Sequence, residues 1–399
     1  MVPTKRLKIV IFDGSLKTTP FINRLAVGLA ERHEVTILGF SHSLKHRLPN
    51  VDYVSLGSST KLRHLMGRSI SIGLKYLFLK GAVGAWVQTK MNLLFFRKHK
   101  LKAQNFKASM ALLQPDVLHV QWPSLLPWVE LISLKHTKVI LSQRGYQTNV
   151  RPFLDQENMA YLKKMYPQMA GFHSVSKAIA KQGDLIYTHP NKIDEVVYSG
   201  FDFNQLLFQR IYQMKRPIEI ISIGRPHWKK GYTYALRACH VLKQNGVPFL
   251  YTIIGAAGDE ELLFLIDTLG LKEQVNLMPR LSQTEVYNRM AASQLFLLPS
   301  IEEGLPNVLV EAMAIGIPVI VTDCGGVTEL VDESMGMVVP SRDPEAMAAA
   351  VLSFSQKDLS ILDTQRKAGR KKVEAQHAAK KMIDDMEALY LKCMESVLD

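Results

Sequence analysis

The chain has 399 residues, of which 47% are hydrophobic, with three cysteines and a formal net charge of +13 at pH 7. That length holds two or three domains of ~100–200 residues each, and the composition excludes wholesale disorder, a collagen-like repeat and a disulfide-stapled miniprotein. Cys239, Cys324 and Cys393 are far apart and form no CxxC pair, so they read as reduced buried thiols of a cytosolic protein rather than zinc ligands.

In chain order, residues 1–6 are polar and basic, and the apolar stretch after them is too short for the core of a secretory signal. A strand is expected over 8–12, ending in Asp13-Gly14-Ser15, then a helix over 20–32 and strands over 33–40 and 51–56. Residues 62–110 read as mostly helical. Their greasiest part, 69–96, is interrupted by Lys75, Lys80 and Lys90, so no run approaches the ~18–20 apolar residues of a membrane span. Buried-strand runs follow at 116–121, 139–143 and 172–176, and 195–198 closes the series. Short strands alternating with helices predict parallel βαβ units in a doubly wound sheet.

The second half repeats the rhythm, with strands expected over 218–223, 250–254, 275–278, 295–298, 318–321 and 337–339, and helices over 231–245, 260–269, 284–292 and 306–314. The strand pattern lapses over 200–216, which marks a seam. A basic stretch, 366–372, precedes a last helix in which Met382, Met386, Leu389, Tyr390, Cys393 and Val397 recur at helical spacing. The fold class expected is α/β, with two doubly wound Rossmann-like domains facing a cleft lined by strand ends.

Charge is lopsided. Residues 1–200 hold 28 Lys+Arg against 11 Asp+Glu, whereas 201–399 hold 21 against 25. Within 45–107 there are 13 basic residues and one acid, Asp52, with Phe78, Trp86, Phe95 and Phe96 interleaved. The first half therefore expects an anionic partner: membrane headgroups, a phosphorylated substrate or nucleic acid. Aromatic–basic mixing fits an interfacial surface or single-stranded nucleic acid, and equally ordinary helices with core aromatics.

Two elements carry chemistry. In Pro299-Ser300-Ile301-Glu302-Glu303-Gly304-Leu305-Pro306-Asn307, a strand end turns at Gly304 into a helix whose first position suits Pro306 and which stops at Gly316. The free N–H groups near Leu305–Val308 form an anion site, bracketed by Glu303 before the helix and Glu311 within it. Donors for a diphosphate, beside carboxylates for hydroxyls, suit a nucleotide sugar. In Ser222-Ile223-Gly224-Arg225-Pro226-His227-Trp228-Lys229-Lys230-Gly231, Gly224 turns the chain so that Arg225 and Lys230 converge on a departing diphosphate.

Together these elements resemble the retaining GT-B glycosyltransferases of family four (glycosyl transferases group 1), across nearly the whole chain. The resemblance also runs through Pro115-Asp116-Val117-Leu118-His119-Val120, Ser199-Gly200-Phe201-Asp202 and Gly325-Gly326-Val327-Thr328-Glu329. It implies that Glu303 lies at the donor sugar, Glu311 holds the ribose and Arg225 and Lys230 bind the diphosphate. Donor contacts are expected at Gly14, Gly224, Gly304, Leu305, Pro306 and Asn307, and the segment at Arg280 and Leu281 meets the base. Catalysis is assigned to Glu303, Arg225 and Lys230. The first half departs from the pattern: Gly14 stands alone before Lys17-Thr18-Thr19, and Gln143-Arg144-Gly145 replaces a usual His-Gly. Lys17 and Arg144 are the acceptor-side candidates, Arg144 as holder of an acceptor phosphate or carboxylate or as a structural arginine.

The expected division is an acceptor-binding domain over 1–200, a nucleotide-sugar-binding domain over 201–375 and a helix over 376–399 packing back on the first. The partners expected are a nucleotide sugar, a glycan or lipid-linked acceptor and an anionic membrane surface, with no nucleic acid. The expected location is the cytoplasm, peripheral on the inner membrane face. No D-x-D pair occurs, so neither metal nor cofactor is expected. Two other readings stay open: a sugar-nucleotide epimerase of this fold, and a non-catalytic membrane- or nucleic-acid-binding protein on the same scaffold.

Overall fold

The computed structural model describes residues 6–41, 43–44 and 47–396; residues 1–5, Lys45 and Val397, used above, lie outside them. The chain forms two compact units. The first comprises Met1–Val175, Ile179–Phe201 and Ala379–Asp399, and the second Ser176–Ala178 and Asp202–Ala378.

Each unit is built on one parallel sheet. The first holds β1 (Lys8–Gly14), β2 (Glu34–Gly39), β3 (Val51–Ser55), β4 (Val117–Val120), β5 (Lys138–Gln143), β6 (Gly171–Ser174) and β7 (Asp194–Val196), in the order β3-β2-β1-β4-β5-β6-β7. The second holds β8 (Ile218–Ile223), β9 (Phe249–Ile254), β10 (Val275–Met278), β11 (Leu295–Leu298), β12 (Val319–Thr322) and β13 (Met337–Val339), in the order β10-β9-β8-β11-β12-β13. The strand order reverses between β1 and β4 and again between β8 and β11. Beyond the carboxyl ends at such a switch point, helices leave on opposite faces and open a crevice.

The strands are apolar because helices cover both faces. Along β1, Ile9 and Ile11 enter a core with Leu25 and Ile37, while Val10 and Phe12 enter another with Phe106 and Leu118, the period-two alternation of a strand. The first of these cores is closed by helices Pro20–Ala30 and Ala379–Glu395, so the end of the chain completes the first unit. These two helices approach so closely that a Cβ on Gly28 would lie 2.0 Å from Cδ1 of Ile383.

Two segments carry detail that the sequence does not give. The long helical stretch splits into Leu62–Lys80, Val83–Leu94 and Lys98–Leu113, with left-handed breaks at Gly81 and Phe96. The basic run 366–372 is solvated only in part, with Lys367 and Lys371 exposed. It lies inside helix Leu359–His377, where Arg366 is only 3% exposed and donates to the carbonyls of Gly316 and Gln209. Arg370 donates to the Ala314 carbonyl at 2.6 Å and to that of Leu206. Both cations sit at the carboxyl end of the helix finishing at Ile315, where Arg370 takes the Ala314 carbonyl and Arg366 that of the C-cap Gly316, and both tie down the strand-free seam after residue 202. Arg366→Ala should therefore lower unfolding stability by about 2–4 kcal/mol, since a hydrogen bond to a charged group contributes about 1.5–3 kcal/mol and the carbonyls stay buried. Denaturant titration of the two proteins measures it, and an unchanged midpoint would contradict the clamp.

Candidate functional site

The site residues of the second unit gather at the β8/β11 switch point. β8 ends at Ile223 and the chain turns at Gly224, whose φ is 150°. A one-turn helix, Trp228–Lys230, then leads through Gly231 into helix Tyr232–Gln244. Gly231 is required twice over. Its φ is 65°, and a Cβ there would lie 1.9 Å from the Pro299 carbonyl oxygen at the end of β11. The amide of Ile301 donates to the Lys229 carbonyl at 2.7 Å, so the two strand-end loops touch backbone to backbone. A third loop closes on them. A Cβ on Gly325 would meet the Glu303 carbonyl at 1.8 Å and one on Gly326 the Gly304 carbonyl at 2.3 Å.

This packing brings Lys230 and Glu303 together. The Lys230 Nζ lies 2.5 Å from Glu303 Oε1, which also accepts from the Ser300 hydroxyl at 3.1 Å. Glu303 is buried, and its carboxylate takes part in raising the buried Tyr232 phenol's pKa, after the larger effect of burial. The Tyr232 hydroxyl donates to the Gly224 carbonyl at 3.1 Å and fixes the turn before Arg225. Arg225 is exposed and makes no hydrogen bond or ion pair among the described residues. The His227 imidazole is held below its ordinary pKa by burial first and then by Lys229, Arg225 and Lys230, the signature of a concentrated positive field.

The helix after Glu303 spans Asn307–Ile315, with Pro306 at its N-cap rather than its first turn. Pro306 is extended, at ψ 107°, which moves the helix start one residue later. The first-turn amides still lack partners within the helix. Leu305 and Asn307 are half-buried at this start, and Gly304 and Pro306 are buried. Glu311, one turn in, accepts from the Tyr287 hydroxyl at 3.0 Å. Tyr287 belongs to helix Gln283–Ala292, which follows exposed Arg280 and half-buried Leu281, so this bond ties the helix after that segment to the glutamate. Ser300, Tyr232 and Tyr287 were not legible as site residues: each is an ordinary residue in sequence, Ser300 and Tyr232 acting through bonds within their own strand-end segments and Tyr287 through a bond to another helix.

Gly14, Lys17 and Arg144 belong to the first unit, at its own strand ends. Lys17 is exposed, and Gly14 turns β1 with φ 73°. Arg144, just past β5, lies 4.3 Å over the Phe21 ring and donates to Gln121 Oε1 at 2.8 Å. Burial lowers its pKa to about 10. The Asp13 carboxyl accepts from the Trp122 indole at 2.6 Å, yet burial outweighs that bond and the Arg144 charge and pushes its pKa up to about 6. The Arg144 Nε and the Gln121 Nε2 are buried donors with no hydrogen-bond partner.

Beneath Arg144 runs a buried chain of four side chains. Tyr390 Oη, His119 Nδ1, His119 Nε2, Ser142 Oγ and His173 Nδ1 follow at 2.7–2.8 Å, and His173 Nε2 reaches the Val197 carbonyl at 3.0 Å. A carbonyl only accepts, so His173 carries its proton on Nε2 and accepts on Nδ1 from Ser142. Ser142 then accepts from His119 Nε2, and Tyr390 donates to His119 Nδ1. Every proton is assigned with both rings neutral, and His119 is a satisfied core histidine. Burial and the Arg144 charge hold His173 down at about 3, and burial, His173 and Arg144 hold His119 well below its ordinary value.

Among the described residues no group of three or more His, Cys, Asp or Glu could hold a metal ion, and the three cysteines are buried and unbridged. His42 and His46, a histidine pair at i,i+4 spacing, lie outside the described residues.

Residues 206–372 match the family model described as glycosyl transferases group 1. The chain is 37% identical over 183 residues to the putative colanic acid biosynthesis glycosyltransferase WcaL of Escherichia coli (strain K12), covering 44% of this chain and 45% of that protein. It is 35% identical over 195 residues to the amylovoran biosynthesis glycosyltransferase AmsK of Erwinia amylovora, covering 46% and 47%. The chain thus spans about half the length of the curated relatives it matches. In fold it is similar to Anabaena Alr3699/HepE, solved in complex with UDP and glucose, at a TM-score of 0.68 and 16% identity over 96% of this chain and 99% of that one. Its paired parallel α/β sheets are those of GT-B glycosyltransferases.

The neutral histidines set a pH dependence. Unfolded, each imidazole takes up a proton near 6.5; folded, His173 resists to about 3. Between those two values the unfolded chain binds more protons, so stability is full above about 6.5 and falls as pH drops toward about 3. Asp13 acts oppositely. Its folded pKa of about 6 exceeds its unfolded 3.8, so acidification relieves a cost and offsets part of one histidine. The expected loss is up to about 1.4 kcal/mol per pH unit for each histidine. Denaturant midpoints measured from neutral pH downward check it, and a flat profile between about 6.5 and about 5 would contradict the neutral assignment.

Proposed function

From the match of residues 206–372 to the glycosyl transferases group 1 family model, we propose that the protein is a glycosyltransferase of polysaccharide synthesis. It moves a hexose-type sugar from a nucleoside-diphosphate donor to a hydroxyl of a glycan or lipid-linked saccharide, with retention at the anomeric carbon. The observation that carries the reading is the Lys230–Glu303 pair at a glycine-packed switch point, flanked by exposed Arg225 and the helix start at Asn307. The biosynthetic names of WcaL and AmsK, and the UDP and glucose of the Anabaena structure, support donor and pathway class.

In this reading the diphosphate lies against the first-turn amides after Pro306 and the cations of the β8 loop. Glu303 faces the sugar hydroxyls while orienting Lys230, and Glu311, steadied by Tyr287, takes the ribose. The bond from the anomeric carbon to the phosphate oxygen breaks as the acceptor oxygen bonds to that carbon on the same face. The acceptor proton passes to the departing diphosphate, whose charge Arg225 and Lys230 neutralise. On the acceptor side, the unpartnered donors of Arg144 and Gln121 suit an oxygen-rich or anionic group. The reaction is proposed for the cytoplasm, in keeping with three buried free thiols.

Transfer from radiolabelled nucleotide sugars to extracted glycan and lipid-linked acceptors, with a donor-only control for epimerisation, tests the reading. Arg225→Ala or Lys230→Ala should reduce turnover by about 10²–10³, the cost of removing one transition-state donor. Glu311→Ala should weaken free nucleoside diphosphate and nucleotide sugar alike, whereas Glu303→Ala weakens mainly the sugar-bearing donor. Wild-type turnover in both cation variants would overturn the assignment.

The cations occupy the place a divalent ion takes where carboxylate pairs hold the donor, so activity is expected to survive chelation. Assay in EDTA checks this, and activity abolished there and restored by Mn²⁺ or Mg²⁺ would refute metal independence.

A further inference from the structure

Helix Val83–Leu94 is folded inside out. A surface helix ordinarily buries its apolar stripe and exposes its polar one. Here Thr89 and Asn92 are the buried residues, at 4% and 6% exposure. They are satisfied there, Thr89 by the Ala85 carbonyl and Asn92 by Gln104, which in turn bonds Gln88. The apolar residues Val83, Val87, Met91 and Leu94 follow at helical spacing on the opposite side and are exposed, Leu94 at 69%. The ridge is continued by Phe78 and Leu79 before it, Phe78 at 79% exposure, and by Phe95 and Phe96 after it. Trp86 is not part of it, because its ring packs on Gly73 of the preceding helix.

The charge around this ridge has one sign. No Asp or Glu occurs between Asp52 and Asp116. Lys75, Lys80, Lys90, Arg97, Lys98 and Lys100 are exposed beside the apolar residues, and none forms an ion pair among the described residues. The Arg97 guanidinium lies over the ridge's Phe95 ring at 5.1 Å, and the Lys90 ammonium lies at the ridge's flank, 5.4 Å from the inward-packed Trp86 ring.

We propose that this ridge is a membrane-docking surface, on which helix Val83–Leu94 lies in the plane of an anionic lipid bilayer. Its valine, methionine, leucine and phenylalanine side chains enter the headgroup–acyl boundary, and the lysines and arginines pair with lipid phosphates. Charge selects this occupant. A second copy of the chain would set cation against cation, and a nucleic acid would use the cations while leaving the apolar ridge in water. A helix with an apolar face and a basic flank is the arrangement that binds the interface of anionic membranes. No described helix is long and apolar enough to cross a membrane, so docking is peripheral. The surface lies within the first unit and goes beyond the transferase reading: vesicle binding needs no donor, so either can fail alone.

Sedimentation of the full chain with vesicles tests it. Wild type should bind vesicles of equimolar phosphatidylglycerol and phosphatidylcholine at low salt, bind phosphatidylcholine alone poorly, and keep a bound fraction when salt is raised. The charge-neutral triple variant Val87→Gln, Met91→Gln, Leu94→Gln should lose that salt-resistant fraction, with partitioning down about tenfold or more. Lys90→Gln, Lys98→Gln, Lys100→Gln should instead weaken the low-salt step, which keeps the idea testable if the first variant folds poorly. Protein unbound on anionic vesicles at low salt would overturn the proposal, as would apolar and wild-type chains partitioning alike at every salt. Lipid-free self-association abolished by the apolar variant, without vesicle binding, would assign the ridge to a second copy.

Discussion

Three strand-end loops of the second unit meet with no room for a side chain between them. The carbonyl oxygens of Pro299, Glu303 and Gly304 occupy the positions that Cβ atoms on Gly231, Gly325 and Gly326 would need. Everything at this site follows from that approach. It sets the Lys230 ammonium on the Glu303 carboxylate, and it puts the helix start at Asn307 beside the turn that carries Arg225. An ion pair so poorly hydrated holds its geometry because each partner would be costly to bury alone. The site's shape is thus a backbone property first and a side-chain property second.

The first unit keeps its polar groups in an unusual place. Its interior holds a directional hydrogen-bond chain from Tyr390 through His119 and Ser142 to His173, and this chain fastens the last helix under the sheet. Arg144 rests above it, donating to Gln121 and stacked on Phe21. Meanwhile helix Val83–Leu94 presents its apolar residues outward. Polar groups inside are tolerated because they are bonded to one another, and a fully paired network also fixes which side chains can sit beside it. An arginine mounted on such a base has little freedom of orientation.

Much of the fold was legible from strand pattern alone. Buried parallel strands are short apolar runs, and 218–223, 275–278, 295–298 and 337–339 were read to their exact ends. Legibility ended where a residue's partner is distant in sequence. Nothing within the basic run 366–372 marks Arg366 as buried; it is buried because carbonyls some 50 and 157 residues away take its donors. The sequence leaves Trp86 open as an interfacial or a core aromatic, and Gly73 of another helix leaves room for its ring. Residues 62–110 read as mostly helical and are so, but the breaks were not legible because nothing in composition separates Gly81 in a left-handed break from glycine within a helix such as Gly73.

The sequence by itself determined the α/β class, the two repeated strand rhythms, and the order of glycines, cations and glutamates in the 222–231 and 299–311 segments, since local spacing encodes each. It also determined the acid-free stretch between Asp52 and Asp116. Only the tertiary structure decided that Lys230 meets Glu303, that Tyr287 meets Glu311, and that Tyr390 closes a proton-ordered chain through two neutral histidines. It alone turned the apolar side of helix Val83–Leu94 outward. The physical reason is the same in each case: hydrogen bonds, ion pairs and burial depend on distances between segments, and no one-dimensional spacing carries those distances.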